Sequence, residues 1–427
     1  MPSSAASIVR VTVFSPDDSR GWGWLTYTAR SHSTPWRNRM RMLVLGAGLQ
    51  GSACAFDLLQ NPDVREVRLA DLNVDHLPRF LAPYSGPRLI PTRVDVRSRD
   101  AALALMRQCD AVMSAIPYYF NFPLAELAVE AGVHFSDLGG NTEIVFQQKG
   151  LSEKAAAKGV TVIPDCGVAP GMVNVLAQYG ISQLHSVSAV RMFVGGLPQH
   201  PEPPLNYQIV YSLEGVLDYY TTLSWVLRDG KRHQVRALSE REPVAFPAPL
   251  GELEAFHTAG GLSTMPFRYE GKIPAMEYKT LRYPGHAHIM EAIRELGLLS
   301  LDPVDVKGAK VIPRDAVVAT IGPKLRKPEG RDLVALRVIV TGTKNGTPRT
   351  LSWELVDRYD ERHGISAMMR TTGYSLSITG QMQARGEIVP PGVCTPDECV
   401  PPQRYIDELA KRGIMIAFRD EGPGVVV

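Results

Sequence analysis

The sequence has no apolar run approaching the ~18 residues needed to cross a bilayer, which excludes a helical membrane span. It has no basic block either. Its 46 Lys and Arg against 44 Asp and Glu leave a formal charge of +2, so no nucleic-acid-binding face is expected. Cysteine is scarce and odd in number: Cys54, Cys109, Cys166, Cys394 and Cys399 are scattered, the pattern of a reducing compartment rather than a disulfide framework. Cys394 and Cys399 make a lone C-x4-C without a second pair, and no metal is expected. Internal repeats and low-complexity stretches are missing too. What is left is a cytoplasmic, globular chain whose 427 residues allow two or three domains.

Residues 1–39 are rich in Ser, Arg and Trp but lack the apolar core of a secretory signal, and Asp17 and Asp18 count against a transit peptide. They are expected to form a disordered leader. What is present starts at Met40. "MLVL" reads as a short buried strand, Gly46-Ala47-Gly48-Leu49-Gln50-Gly51 is G-x-G-x-x-G, and a helical pattern follows. The first glycine makes the tight turn, the second admits a pyrophosphate, and the third lets helix and strand pack closely. The helix N-terminus offers free N–H groups to phosphate. A second strand, "EVRLAD", ends at Asp71, where a carboxylate accepts from a ribose hydroxyl pair and repels a 2′-phosphate. Residues 72–75 hold no Arg or Lys, so NAD is expected over NADP.

Strand and helix patterns then alternate as far as "VTVIPD". Such an order builds an α/β Rossmann fold, a doubly wound parallel sheet that binds ligands at the carboxyl ends of its strands. That rim holds Asp95, Ala115-Ile116-Pro117 with Tyr118, Asp137 to Asn141, and Asp165-Cys166. From residue 167 long strand-like runs take over, with a hairpin signal at Asn345-Gly346. The expected arrangement is a discontinuous NAD-binding domain over 40–166 and 365–427, with an inserted α+β substrate and dimerisation domain over 167–364.

The series "VLGAGLQG", "SDLGGN", "VIPDCGVAPGMVN", "VGGLPQHPEPPLNYQIVYSLEGVLDYY", "LEAFHTAGG", "EYKTLRYPGHA" and "MMRTTGY" resembles the saccharopine dehydrogenase-like superfamily, and within it the lysine 6-dehydrogenases. The resemblance implies NAD-dependent oxidation at the ε-amino carbon of L-lysine to the 6-semialdehyde, which cyclises to a piperideine carboxylate. It also implies a homodimer or higher homo-oligomer. Saccharopine reductases carry Ser-Pro-Arg-Gly or Ser-Ser-Arg-Gly where this chain has Ser212-Leu213-Glu214-Gly215. Their arginine grips a carboxylate, whereas Glu214 suits an ammonium group, unless it only caps a helix or faces solvent. The alternatives are saccharopine or carboxynorspermidine chemistry on the same fold, or a non-catalytic NAD-binding sensor.

Oxidising an amine requires its neutral form. Deprotonating a lysine of reference pKa about 10.4 at neutral pH costs roughly 4–5 kcal/mol, which calls for a base and an alkaline optimum. Candidates for catalysis are Tyr118, Asp137, His257 and His286. Candidates for substrate binding are Asn121, Glu214, Lys279 and Arg282. For each histidine a structural hydrogen-bonding role competes, for Lys279 and Arg282 a solvated strand position, and for Tyr118 loop packing. The base itself stays open.

Overall fold

A computed structural model describes residues 40–422, so the expected leader over 1–39 lies outside the described residues. Its first part alternates β1 (Met40–Leu45), α1 (Leu49–Gln60), β2 (Val64–Asp71), β3 (Leu89–Arg93), α2 (Arg99–Met106), β4 (Ala111–Ser114), α3 (Asn121–Ala131), β5 (His134–Asp137), α4 (Thr142–Lys149), α5 (Ser152–Lys158) and β6 (Thr161–Ile163). Next come α6 (Met172–Gln183), β7 (Ser186–Pro198), α7 (Leu213–Thr221), β8 (Ser224–Arg228), β9 (Lys231–Val235), β10 (Glu242–Phe246), β11 (Gly251–His257), α8 (Met265–Tyr269), β12 (Ala275–Arg282) and α9 (His286–Glu295). A small ribbon, β13 (Val304–Val306) with β14 (Ala309–Val311), precedes α10 (Pro313–Leu325), β15 (Asp332–Lys344) and β16 (Thr347–Arg358). The last elements are α11 (Ala367–Ala384), β17 (Gly392–Val393), α12 (Pro396–Cys399), α13 (Pro402–Lys411) and β18 (Ala417–Glu421).

The first sheet has seven strands in the order β17-β6-β5-β4-β1-β2-β3. Its pairings are parallel. Helices cover both faces, which is why β4 and most of β1 are apolar and buried along their length. The order reverses direction at β1, so a crevice opens between the carboxyl ends of β1 and β4. The nine-stranded second sheet runs β10-β11-β12-β7-β15-β16-β18, with β8 and β9 branching from β12. It is antiparallel apart from β12 against β7. The β15–β16 hairpin turns at Asn345 and Gly346, whose φ values of 53° and 76° suit a two-residue turn of the twist-matching kind.

The chain returns to the first sheet through α11, which lies along α1, β4 and β5. Gly373 permits that approach: a Cβ there would stand 2.7 Å from the Gln50 carbonyl oxygen. Two features differ from the sequence reading. β18 pairs with β16 of the second sheet, so the tail ends on that sheet rather than on the first. Cys394 and Cys399 pair as a disulfide, because the single turn of α12 between them brings their Cα atoms to 6.1 Å. Cys54, Cys109 and Cys166 are free and buried. Among the described residues no helix is long and apolar enough to cross a membrane.

Candidate active site

The glycine turn leaves β1 and enters α1 at the switch point. A Cβ on Gly51 would lie 1.8 Å from the Gly46 carbonyl oxygen, and one on Gly46 would lie 2.7 Å from the Ala115 oxygen and 2.8 Å from Ile116 Cγ2. Both glycines are therefore packing positions. Gly48 has nothing within 4 Å of that point, so its open side faces the crevice. It also sits at the head of α1, whose first turn has no side-chain cap. Leu49 is half exposed and the buried Gln50 Oε1 has no partner among the described residues. The Asp71 carboxylate reaches back to the turn, accepting from Ala47 N–H at 2.7 Å and from Asn73 N–H at 3.1 Å. An open glycine, uncapped N–H groups, an orphaned oxygen and a carboxylate at the turn fit a dinucleotide.

Asp95 stands at the rim just past β3, half-buried and gripped by Arg97 at 2.7–3.0 Å. Pro117 is exposed beside the half-buried Tyr118. Asn121 is buried and accepts from the Ser114 hydroxyl at 3.1 Å, tying the head of α3 to β4. Asp137 is fully buried. It accepts from Gly139 N–H at 2.7 Å, Gln148 Nε2 at 2.7 Å and Asp165 N–H at 3.4 Å. Burial pushes its carboxyl up to about 6, against these donors. It braces the Gly139-Gly140 turn from beneath.

Above that turn the two units meet. A Cβ on Gly140 would lie 3.4 Å from the Tyr219 hydroxyl of α7 and 3.8 Å from Tyr118 Cβ. One on Gly260 would lie 3.3 Å from the Tyr219 ring, and one on Gly261 would enter the Tyr278 ring at 2.3 Å. Asp165, at the end of β6, completes the group. Its φ of 65° is unusual for a non-glycine residue. Its carboxylate accepts from the Ser263 hydroxyl, across the boundary between the units. Burial, with the charge of Asp137 adding to it, pushes the Asp165 carboxyl up to about 7. Burial likewise raises the Tyr219 hydroxyl. Asp165 can therefore hold or release a proton near neutrality. Sequence reading put it on the rim without a role and passed over Ser263 and Tyr219. The only signals were the strand end and the glycines of "HTAGG". Cys166 beside it is buried and donates to the Ile163 carbonyl at 3.1 Å, and burial raises its thiol well above the usual range.

The other expected residues are already committed. Side chains alternate along β12, so Tyr278 and Arg282 share one face while Glu277 and Lys279 share the other. His257 belongs with the second group. Its Nε2 meets Glu240 at 3.1 Å, its Nδ1 meets the Tyr278 carbonyl at 3.2 Å, and burial lowers its basicity. Lys279 donates to Glu242 at 2.6 Å and to the Glu240 carbonyl at 2.7 Å. Both expectations of a role facing the crevice are thereby corrected: the pairing absorbs these charges on the far face. Ligand atoms of Glu240, His257 and Glu277 gather within 4.8 Å. Arginines already hold these carboxylates: Arg228 donates to Glu240 and Glu277 at 2.7 and 3.0 Å, and Arg191 to Glu277 at 2.7 Å. His286 is corrected as a base too. Tyr220 holds its Nε2 at 3.0 Å and the Leu205 carbonyl its Nδ1 at 2.9 Å, and burial pushes it down to about 3. Glu214 is exposed in the first turn of α7, and its carboxylate accepts from the Ser212 cap at 3.1 Å. Arg282 is buried over the Tyr207 ring at 4.9 Å, with no acidic partner among the described residues.

Two family models cover nearly the whole described chain. The "Saccharopine dehydrogenase NADP binding domain" matches residues 42–163, and the "Saccharopine dehydrogenase C-terminal domain" matches residues 167–414. The chain belongs to the saccharopine dehydrogenase family. The join between the two family domains falls on the loop that carries Asp165 and Cys166. Among curated relatives, saccharopine dehydrogenase [NADP(+), L-glutamate-forming] of Saccharomyces cerevisiae is 24% identical over 426 residues, covering 83% of this chain and 93% of that enzyme. Mitochondrial alpha-aminoadipic semialdehyde synthase of Mus musculus is 25% identical, covering 61% of this chain and 29% of its own. Apo saccharopine dehydrogenase (L-Glu forming) from S. cerevisiae superposes with a TM-score of 0.73 at 21% identity, over 90% of this chain and 100% of that one. Homospermidine synthase from Legionella pneumophila, in complex with NAD, superposes at 0.64 and 12% identity over 90% and 91%. At such identities the solved structures establish a shared fold. Membership of the family makes this chain an oxidoreductase of the saccharopine dehydrogenase type with a nicotinamide dinucleotide cofactor.

Proposed function

We propose that the protein exchanges a hydride between a nicotinamide dinucleotide and the carbon of an amino-acid C–N bond, with NAD as cofactor and a saccharopine-type secondary amine as substrate. The observation that carries this is one of position: the glycine turn, the Ala115–Pro117 rim and the Tyr118–Tyr219–Asp165 group all meet at the switch point between two domains of one family. The bound dinucleotide supplies the hydride acceptor. Gly48 and the first turn of α1 hold its phosphates, and Asp71 holds a ribose hydroxyl pair. Asp165 takes the proton that leaves the amine, with the Ser263 hydroxyl keeping its carboxylate oriented. Glycines 140, 260 and 261 let the two walls approach closely enough to exclude water. Arg282, buried without an acid, holds a substrate carboxylate. The near end-to-end likeness to the yeast enzyme supports the saccharopine-type substrate.

Glu214 favours a second reading, oxidation of the ε-amine of L-lysine. It stands at the first turn of α7 where saccharopine reductases carry arginine. NADH and NADPH absorbance, measured with saccharopine and with L-lysine separately, decides between the two. Saccharopine turnover supports the first reading. Turnover of lysine alone, rising toward alkaline pH, replaces it with the second. Tight dinucleotide binding without turnover of either amine leaves a sensor and sinks both.

A further inference from the structure

Residues 72–75 offer no cation to a 2′-phosphate, but the sheet brings one from elsewhere in the chain. β2 and β3 run parallel with Asp71 opposite Arg93. Arg93 Nη2 donates to Asp75 Oδ2 at 2.6 Å, its other donors have no partner among the described residues, and the two side chains are 63% and 60% exposed. Asp75 is positioned by a relay. Its N–H donates to Asn73 Oδ1 at 3.0 Å, Asn73 N–H donates to Asp71 Oδ1 at 3.1 Å, and Asp71 Oδ2 accepts from Ala47 N–H of the glycine turn at 2.7 Å. One run of hydrogen bonds thus connects the phosphate-binding turn to Asp75 and ends on a guanidinium. Two carboxylates and one arginine share this corner, which leaves it one negative charge in excess.

We infer that Arg93 is the group through which this site senses a 2′-phosphate and that Asp75 holds it away. On this account the choice between NAD and NADP is made by the Asp75–Arg93 pair as well as by Asp71. The inference rests on the dinucleotide reading of the glycine turn. An exposed pair joined by one hydrogen bond is weak and opens readily. A phosphate offers the same guanidinium a bidentate, charge-assisted grip that outweighs it once Asp75 stops competing. Removing the Asp75 charge both frees the arginine and takes away one of the carboxylates that repel the phosphate. Removing Arg93 leaves both carboxylates unopposed.

The test needs no turnover. The full-length protein is titrated calorimetrically with 5′-AMP and with adenosine 2′,5′-bisphosphate. The wild type should prefer 5′-AMP. Asp75→Asn should tighten the bisphosphate about tenfold while moving 5′-AMP by no more than about twofold. That gain should shrink as salt is raised. Arg93→Gln added to Asp75→Asn should abolish it. An unchanged ratio of the two affinities in Asp75→Asn, or a gain that survives Arg93→Gln, overturns the role of the pair and leaves the dinucleotide reading standing. A wild type that binds neither probe overturns both.

Discussion

Polar side chains at the carboxyl ends of β2, β4 and β6 stand at a rim where a ligand can reach them or their loops, whereas His257 of β11 and Glu277 and Lys279 of β12 are consumed in pairs. Asp71, Tyr118 and Asp165 line an edge that the parallel topology holds open. His257, Lys279 and Glu277 are equally polar, yet each is spent on a neighbour on the far face of the second sheet: His257 on Glu240, Lys279 on Glu242, and Glu277 on Arg191 and Arg228. Availability for chemistry is thus a property of position in the sheet and not of residue type. A strand end projects its loop into solvent, while a strand interior must satisfy every buried charge locally.

The comparison breaks first, if it breaks, at the glycine turn. Gly51→Ala puts a methyl group 1.8 Å from a carbonyl oxygen. It should abolish dinucleotide binding and cost about 1–3 kcal/mol or more. Gly48→Ala, with open space around it, should fold normally and only weaken binding. Thermal unfolding with NADH fluorescence separates the two, and equal behaviour would contradict the division of roles among the glycines.

Asp165→Asn should follow. If its carboxyl takes the proton, turnover falls by about 10²–10⁴-fold and the limb of the pH–rate profile near pH about 7 disappears. Stability carries an independent sign. The folded carboxyl titrates at about 7 and the unfolded one near the ordinary 3.8. Its contribution is therefore full below the unfolded value and is lost as pH rises through about 7. Denaturant melts of Asp165→Asn should lose that slope, an effect of roughly 4 kcal/mol. A variant with full activity and an unaltered slope removes Asp165 from the chemistry.

His286→Ala sharpens the opposite side. It should cost about 1–3 kcal/mol by leaving the Tyr220 hydroxyl with Arg282 alone and the Leu205 carbonyl without its imidazole partner, while the shape of the pH–rate profile stays as it was. Depressed to about 3, this histidine contributes stability that is present above the unfolded value of 6.5 and is lost as pH falls toward about 3. A displaced catalytic pKa in this variant would return His286 to the reaction. Smaller still is Lys279→Met. It should change stability by about 1 kcal/mol and leave the substrate KM alone, since its charge is spent on Glu242. Glu214→Arg should move only the balance between lysine and saccharopine, read as the ratio of their kcat/KM values with NAD binding unchanged.

The turn after β1, the aspartate ending β2 and the alternation up to β6 were legible because each rests on contacts within about thirty residues and on strong local chemistry: glycine spacing, buried apolar strands, helix starts. The hairpin at Asn345-Gly346 was legible for the same reason. His257 and His286 misled because glycine-flanked polar residues read alike whether they face a crevice or a neighbouring strand. Strand alternation in β12 shows the face only when the partner sheet is known. Tyr219 and Ser263 gave no signal, since their partners Gly140 and Asp165 come from a different sheet and far upstream.

By itself the sequence determined the parallel sheet and the cradle at Gly46–Gly51, because local periodicity and backbone sterics leave few alternatives there. Only tertiary structure decided which charges stay free. Arg93 met Asp75, Lys279 met Glu242, and Asp165 met Ser263 through strand register and domain contact. Those pairings depend on distances between segments that no local pattern encodes.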